Sequence, residues 1–259
     1  MPTDDAGRSH TVGISATASN TVVLTFDNLG EASELERGTL GGSFPVGDHP
    51  SVTDALPRLL DELDGLELRA TFFVEGINCE LYPAAVRTIA ARGHEVGAHG
   101  WRHETWSELG PARERELLER ATAAFRSLGI SPVGFRPPGG ALTPSTPQLL
   151  RDLGYRWCSP AVDAVPEDDH GLQWVPFDWG LVDAYYLMDS FASMRAQRGE
   201  PTAPLLPAAV AQRFAKILQD GRPRGAKTVI IHPFLLLDEA WWDDARRTLA
   251  LIAELLSPR

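Results

Sequence analysis

The sequence predicts an α/β fold, a barrel of seven or eight parallel strands ringed by helices. Three observations predict it. Short apolar runs alternate with longer helical patterns over nearly the whole chain, and that alternation argues for a parallel sheet. Seven or so such units in one chain favour a closed barrel over an open sheet. Five of the apolar runs end on a polar or titratable residue, and in a parallel barrel those ends share one face.

The elements follow in order. "TVVLTF" (21–26) is the first strand, and a long loop leads to the helical pattern "LPRLLDELDGL" (56–66). "LRATFFVEG" (68–76) precedes "YPAAVRTIAARG" (82–93), where Pro83 suits a first helical turn and Gly93 a stop. "HEVGAHG" precedes "ARERELLERATAAFRSLG" (112–129), with leucine and alanine at helical spacing. "PVGF" leads through "RPPGG" to a helix over 143–154, then "YRWCSP" and "LQWVPFDW" (172–179). The stretch 183–205 reads as an elaborated loop with room for a short helix, and it shapes the pocket or reaches a neighbouring subunit. "AKTVIIHPF" (226–234) and the helix "AWWDDARRTLALIAELL" (240–256) close the chain.

Composition bounds the function. Of 259 residues, 43% are hydrophobic and 23% charged, ordinary for a soluble globular protein. The net charge of −11 repels nucleic acid and anionic membrane, so neither is expected as a partner. No apolar run approaches the roughly 20 residues of a membrane span. Residues 1–19 read as a flexible lead-in without secretory features, and 20–259 as a single domain. The protein is expected to be cytoplasmic. Cys79 and Cys158, the only two cysteines, read as buried thiols. Trp241 and Trp242 on the last helix serve packing or a homo-oligomer contact.

The reactive side chains fall at strand ends: Asp27 and Asn28 after "TVVLTF", His99 after "HEVGA", Arg136 after "PVGF", Asp178 after "QWVPF", and His232 after "TVII". If the segment after the third strand turns helically, His99 and His103 meet on one face. Two imidazoles and one oxygen make a common catalytic zinc set, and "TFDN" offers the oxygen. Polar loop histidines are the bland alternative. His94, at the start of the strand, reads as structural.

"TFDN", "HGWRH", "RPPGG" and "VIIH", in that order and spacing, resemble the polysaccharide deacetylases, the NodB-homology family of carbohydrate esterases. The resemblance covers residues 20–256 and implies a distorted (β/α) barrel of the NodB type, a divalent metal, most often zinc, and hydrolysis of an N- or O-acyl group. It implies Asp27 as catalytic base, His99 and His103 as metal ligands, and Arg136 as the cation orienting the base. A backbone N–H near Gly139 would hold the oxyanion, and His232 would protonate the leaving group. One position departs from the pattern: the family's second, metal-binding aspartate is Asn28 here. Three readings stand. The amide ligates with lower affinity, another carboxylate such as Glu31 or Glu34 substitutes, or the site works without metal.

"GHEVGAHGWRHETW", with Glu104 after the second histidine, and "WVPFDWGLVDAYY" resemble the branch holding cyclic imidases and a metal-independent allantoinase. That alignment makes Asp183 a family acidic position, pairing with Arg136 or touching substrate. Trp101, Trp106, Trp179, Tyr185, Tyr186 and Phe234 stand beside motif residues, where they stack on a ring-shaped substrate or serve as loop packing. The leading expectation is a metal-dependent hydrolase of C–N bonds acting on a small soluble substrate. A deacetylase of chitin- or peptidoglycan-like oligosaccharides, and a catalytically weak metabolite-binding relative, are the alternatives.

Overall fold

The computed structural model describes residues 22–41, 44–167, 171–220 and 226–257. The expected lead-in, and Pro223 and Gly225, which read in the sequence as turn residues, lie outside them. In chain order the elements are β1 (Val22–Asp27), α1 (Ala32–Arg37), α2 (Leu56–Gly65), β2 (Thr71–Val74), α3 (Asn78–Leu81), α4 (Pro83–Ala91) and β3 (Glu95–Ala98). Then come α5 (Pro111–Ser127), β4 (Gly134–Phe135), α6 (Thr146–Leu153), β5 (Trp157–Cys158), β6 (Gln173–Trp174), α7 (Asp183–Leu187) and α8 (Ala192–Gln197). The last three are α9 (Pro207–Gln219), β7 (Lys227–Ile231) and α10 (Glu239–Leu256).

Seven parallel strands form one sheet in the order β6-β5-β4-β3-β2-β1-β7. Every residue of β1, β2 and β7 is buried, as expected of strands covered on both faces. The ring is nearly complete. Between β6 and β7 the ladder gives way to a single bridge, Val182 to Ile230, and a bond from Thr228 Oγ1 to the Pro176 carbonyl at 2.8 Å. The distortion follows from strand length: β4, β5 and β6 have two residues each, too few to carry full ladders around.

The helices pack their apolar stripes on the sheet. Leu56, Leu59, Leu60 and Leu63 of α2 are buried, as are Leu117, Leu118, Ala121 and Phe125 of α5, the i, i+3, i+4 spacing of an amphipathic helix. A proline stands in the first turn of α2, α4, α5, α6 and α9, where its missing N–H costs nothing. Helix α9 was not expected from the sequence; it buries Val210, Phe214 and Leu218. Trp241 and Trp242 are buried packing residues, Trp242 lying beneath Arg58 at 4.6 Å. Cys79 and Cys158 are buried free thiols. No helix among the described residues is long and apolar enough to cross a membrane.

Register sets the site. Asp27, the last residue of β1, lies opposite Phe73 of β2, and Phe26 opposite Ile231 of β7, one residue before His232. The His99 N–H donates to the Val74 carbonyl and the Arg136 N–H to the Ala98 carbonyl, both at 3.0 Å. Four motif residues from four strands are thereby brought to one rim.

Candidate active site

A cavity of about 420 Å³ opens at that rim. Asp27, Asn28, His99, His103, Arg136, Gly139, Trp179, His232 and Phe234 all line it, so nine of the expected site residues share one space.

Arg136 is the central cation. It is 1% exposed, and its Nη1 donates to Asp27 Oδ1 and Thr25 Oγ1, both at 2.7 Å. Nε and Nη2 donate to Ser159 Oγ at 3.2 and 2.8 Å. The guanidinium lies over the Phe73 ring at 4.2 Å. Buried on all sides, it fixes one carboxylate oxygen of Asp27 and leaves the other outside the pair.

The histidine pair is built by a loop, which corrects the helical turn expected from the spacing. After β3 the chain folds back with Gly100 at φ +72° and His103 at φ +69°. The Glu104 carboxylate accepts from the Trp101 and Arg102 N–H groups at 3.0 and 2.9 Å, and a Cβ at Gly100 would lie 2.7 Å from it. The two rings meet edge to face, centroids 5.0 Å apart. His99 Nδ1 bonds the Arg136 carbonyl at 2.8 Å, so Nδ1 carries the proton and Nε2 keeps its lone pair. Burial, with Arg136 and His232 nearby, pushes His99 down to about 3; burial, then His99 and Arg37, push His103 down to about 3. Both are neutral, the form a metal ligand needs.

Asn28 sits at φ +59°. Asn28, Glu67 and His103 are the three non-glycine residues at positive φ among the described residues, a conformation that concentrates at functional sites. Its Oδ1 is buried with no hydrogen-bond partner, a costly arrangement unless something else takes the lone pair. Glu31, one of the alternative carboxylates, is committed elsewhere: it accepts from the Gly47 N–H at 2.6 Å and from the Tyr82 hydroxyl. Glu34 lines the cavity and turns Oε1 toward His49 Nε2 at 3.7 Å.

His232 is buried, with Nδ1 2.5 Å from Asp183 Oδ1. Burial opposes its charge, but the Asp183 carboxylate outweighs it, and His232 is held above the ordinary histidine range. Asp183 is fully buried and also accepts from the His232, Ala184 and Trp241 N–H groups. This corrects the expectation for Asp183: it neither pairs with Arg136 nor lines the cavity, and instead stands behind His232. Trp101 is corrected too. It is 2% exposed, lies under Arg120 at 3.8 Å, and is packed against Gly76, away from the cavity. Trp106, Tyr185 and Tyr186 are likewise packing residues. Asp178 is exposed and caps the turn after β6 through the Gly180 N–H at 2.7 Å.

Gly139 and Gly140 both adopt positive φ. The Gly140 N–H is spent on the Pro137 carbonyl at 2.9 Å, while Gly139 lines the cavity with open space where a Cβ would stand. Glu114, fully buried on α5, accepts from the Thr143, Ser145 and Thr146 hydroxyls and so fixes the far end of this loop. Lining residues that no motif marks include Arg37 and the apolar trio Met188, Phe191 and Met194. The last three come from the elaborated stretch, which therefore shapes the pocket.

The Helicobacter pylori peptidoglycan deacetylase is 31% identical over 125 residues, 48% of this chain and 39% of that protein. The chain spans about a third to three fifths of the length of the first curated relatives it matches. A Mycobacterium smegmatis structure assigned to the polysaccharide deacetylases superposes with a TM-score of 0.77 at 26% identity, covering 91% of this chain and 84% of that one. The Puue allantoinase structure shares the fold, with a TM-score of 0.64 at 17% identity over 90% and 83% of the two chains. The polysaccharide deacetylase pattern matches residues 15–158, more than half the sequence and the part holding Asp27, His99, His103 and Arg136, and on that match the chain belongs to the polysaccharide deacetylase family.

Proposed function

We propose that this chain hydrolyses a C–N bond, removing an acyl group from the nitrogen of a small substrate or opening a cyclic amide, with a divalent metal at Asn28, His99 and His103. The observation that carries the reading is the convergence of Asp27, Arg136, the histidine pair and His232 on one cavity. Its volume lies within the range of small-molecule sites.

The donor set fits a zinc-like cation: two neutral imidazoles and a buried amide oxygen with no other partner. The third ligand in this reading is the Asn28 amide, whose buried oxygen has no other partner; it is uncharged and weaker than a carboxylate. When bound, the metal polarises the acyl carbonyl and acidifies water. Asp27 takes a proton from the attacking water as its oxygen bonds to the carbonyl carbon, and Arg136 holds the carboxylate in place. The Gly139 N–H meets the developing oxyanion. His232, kept protonated by Asp183, gives its proton to the departing nitrogen as the C–N bond breaks. The products are a carboxylic acid and an amine, or the ring-opened acid amide.

A second reading, N-deacetylation of a glycan, draws on the relatives named for peptidoglycan. Purified protein with added Zn²⁺ or Co²⁺ is assayed on N-acetyl amino acids, a cyclic imide and N-acetylglucosamine oligomers. Turnover of the small substrates supports the proposal. Acetate release confined to the oligomers moves the assignment to the glycan reading, and no turnover of any of them rejects both.

A further inference from the structure

Two parts of the cavity lining differ in chemistry. One is α1, a short helix held in place: Ala32 is fully buried, Glu31 is bound by Tyr82 and Gly47, and Gly38 ends the helix at φ +64°. Its last residue, Arg37, lines the cavity and has no hydrogen bond or ion pair among the described residues. Glu34, three residues earlier, is turned to His49. Arg37 lines the same cavity as His99, His103 and Arg136. Other cations near the site are spoken for: Arg136 is paired with Asp27, and Arg195 is used up on backbone carbonyls.

The second is the stretch 188–194, where Met188, Phe191 and Met194, with Ser190 among them, give the cavity a largely apolar lining. It is preformed. Arg195, fully buried, donates to the carbonyls of Tyr185, Met188, Pro201 and Thr202, and so ties the whole 185–202 stretch together.

A guanidinium without a hydrogen bond or ion pair among the described residues, in a chain of net charge −11, is an anion receptor set against the overall field, and an aromatic–thioether lining takes a flat or aliphatic group. From this juxtaposition we infer that the substrate is an acylated small molecule bearing a carboxylate, read by Arg37, and an apolar group, seated on Met188, Phe191 and Met194. The inference rests on the hydrolase reading above and narrows it to N-acylated or N-carbamoylated amino-acid-like acids, or cyclic imides carrying an acid.

The test compares N-acetylphenylalanine with its carboxamide, and N-acetylphenylalanine with N-acetylglycine. Wild-type protein is expected to prefer the acid over the amide roughly tenfold in kcat/KM, the scale of one charge-assisted hydrogen bond. Arg37→Gln should collapse that ratio toward one through KM, and Arg37→Lys should keep part of it. Arg115→Gln, an exposed α5 arginine paired with Glu119, should leave it intact. Phe191→Ala should narrow the preference for phenylalanine over glycine. Equal rates for acid and amide in the wild type, or an unchanged ratio in Arg37→Gln, overturn the inference while the hydrolase reading stands. If no substrate turns over, the hydrolase reading is lost. Calorimetric binding of the acid and the amide to wild-type protein then decides this point: tighter binding of the acid supports the assignment of Arg37, and equal or absent binding overturns it.

Discussion

At the scale of single residues, the charged groups of the site are held in two buried pairs, Asp27 with Arg136 and His232 with Asp183. Asp27→Asn keeps the shape and removes the proposed base. The loss of rate should be about 10²- to 10⁴-fold, with the circular dichroism spectrum unchanged because Thr25 and Ser159 still engage Arg136. A variant retaining near-wild-type rates would remove Asp27 from the base role. Asp183→Asn acts through His232. The carboxylate raises the histidine above its ordinary value, so its loss lowers it. A general acid must be protonated, and the alkaline limb of the pH–rate profile should therefore move to lower pH. The same pair has a stability signature with a definite sign. A histidine whose folded value is raised contributes fully below its unfolded pKa of about 6.5 and loses that contribution as pH rises through the folded value. Asp183→Asn should thus cost more at pH 6 than at pH 9, on the order of 3 kcal/mol at the acid end for breaking a buried pair. Urea denaturation at the two pH values measures it, and an equal loss at both would mean the pair is not ionic.

At the scale of elements, the strand ends were legible because their chemistry is simple. A strand covered on both faces reads as an apolar run, and the first polar residue after it marks the rim; Asp27, His99, Arg136 and His232 were found this way. The 99–103 loop was misread because four-residue spacing fits a helix and a tight turn equally, and the deciding bonds come from the Glu104 carboxylate. Trp101 was misplaced because a sequence does not say to which side a ring turns. The roles of Asp183, Glu114 and Arg195 were hidden because their partners lie elsewhere in the chain or are backbone carbonyls, which carry no sequence signal. Arg195 gives the sharpest test at this scale. Arg195→Met conserves bulk but strips a donor from four carbonyls. At about 1 kcal/mol or more for each group left unsatisfied, the loss should reach roughly 3 kcal/mol or more in chemical denaturation. KM for the apolar substrate should rise as the wall loosens. A loss below about 1 kcal/mol would mean water replaces the guanidinium and the wall is not stapled.

At the scale of the whole molecule, the two halves of the chain divide the labour. Residues 15–158 match the family and carry Asp27, Arg136 and the histidine pair; the remainder brings His232 with its buried partner, and the apolar lining. Metal binding would couple to global stability, because the proposed ligands come from two separate strand ends and converge only in the folded state. A ligand that binds only the native state stabilises it by RT ln(1 + [L]/Kd), about 2.7 kcal/mol at a hundredfold excess over Kd. For a chain of this size each kcal/mol moves the midpoint of thermal unfolding by about 2–4 °C. Zinc should therefore raise the Tm of the wild-type protein by several degrees, reversibly with chelator. Asn28→Asp should enlarge the rise at the same zinc concentration, since a carboxylate replaces a neutral amide beside two imidazoles, while lowering Tm without metal by adding an uncompensated charge near Asp27. His99→Ala and His103→Ala should each abolish the zinc effect. A zinc-induced rise that survives both alanine variants would place the metal elsewhere. No rise in the wild type together with a clear one in Asn28→Asp would mean that the natural asparagine has taken this chain out of zinc chemistry.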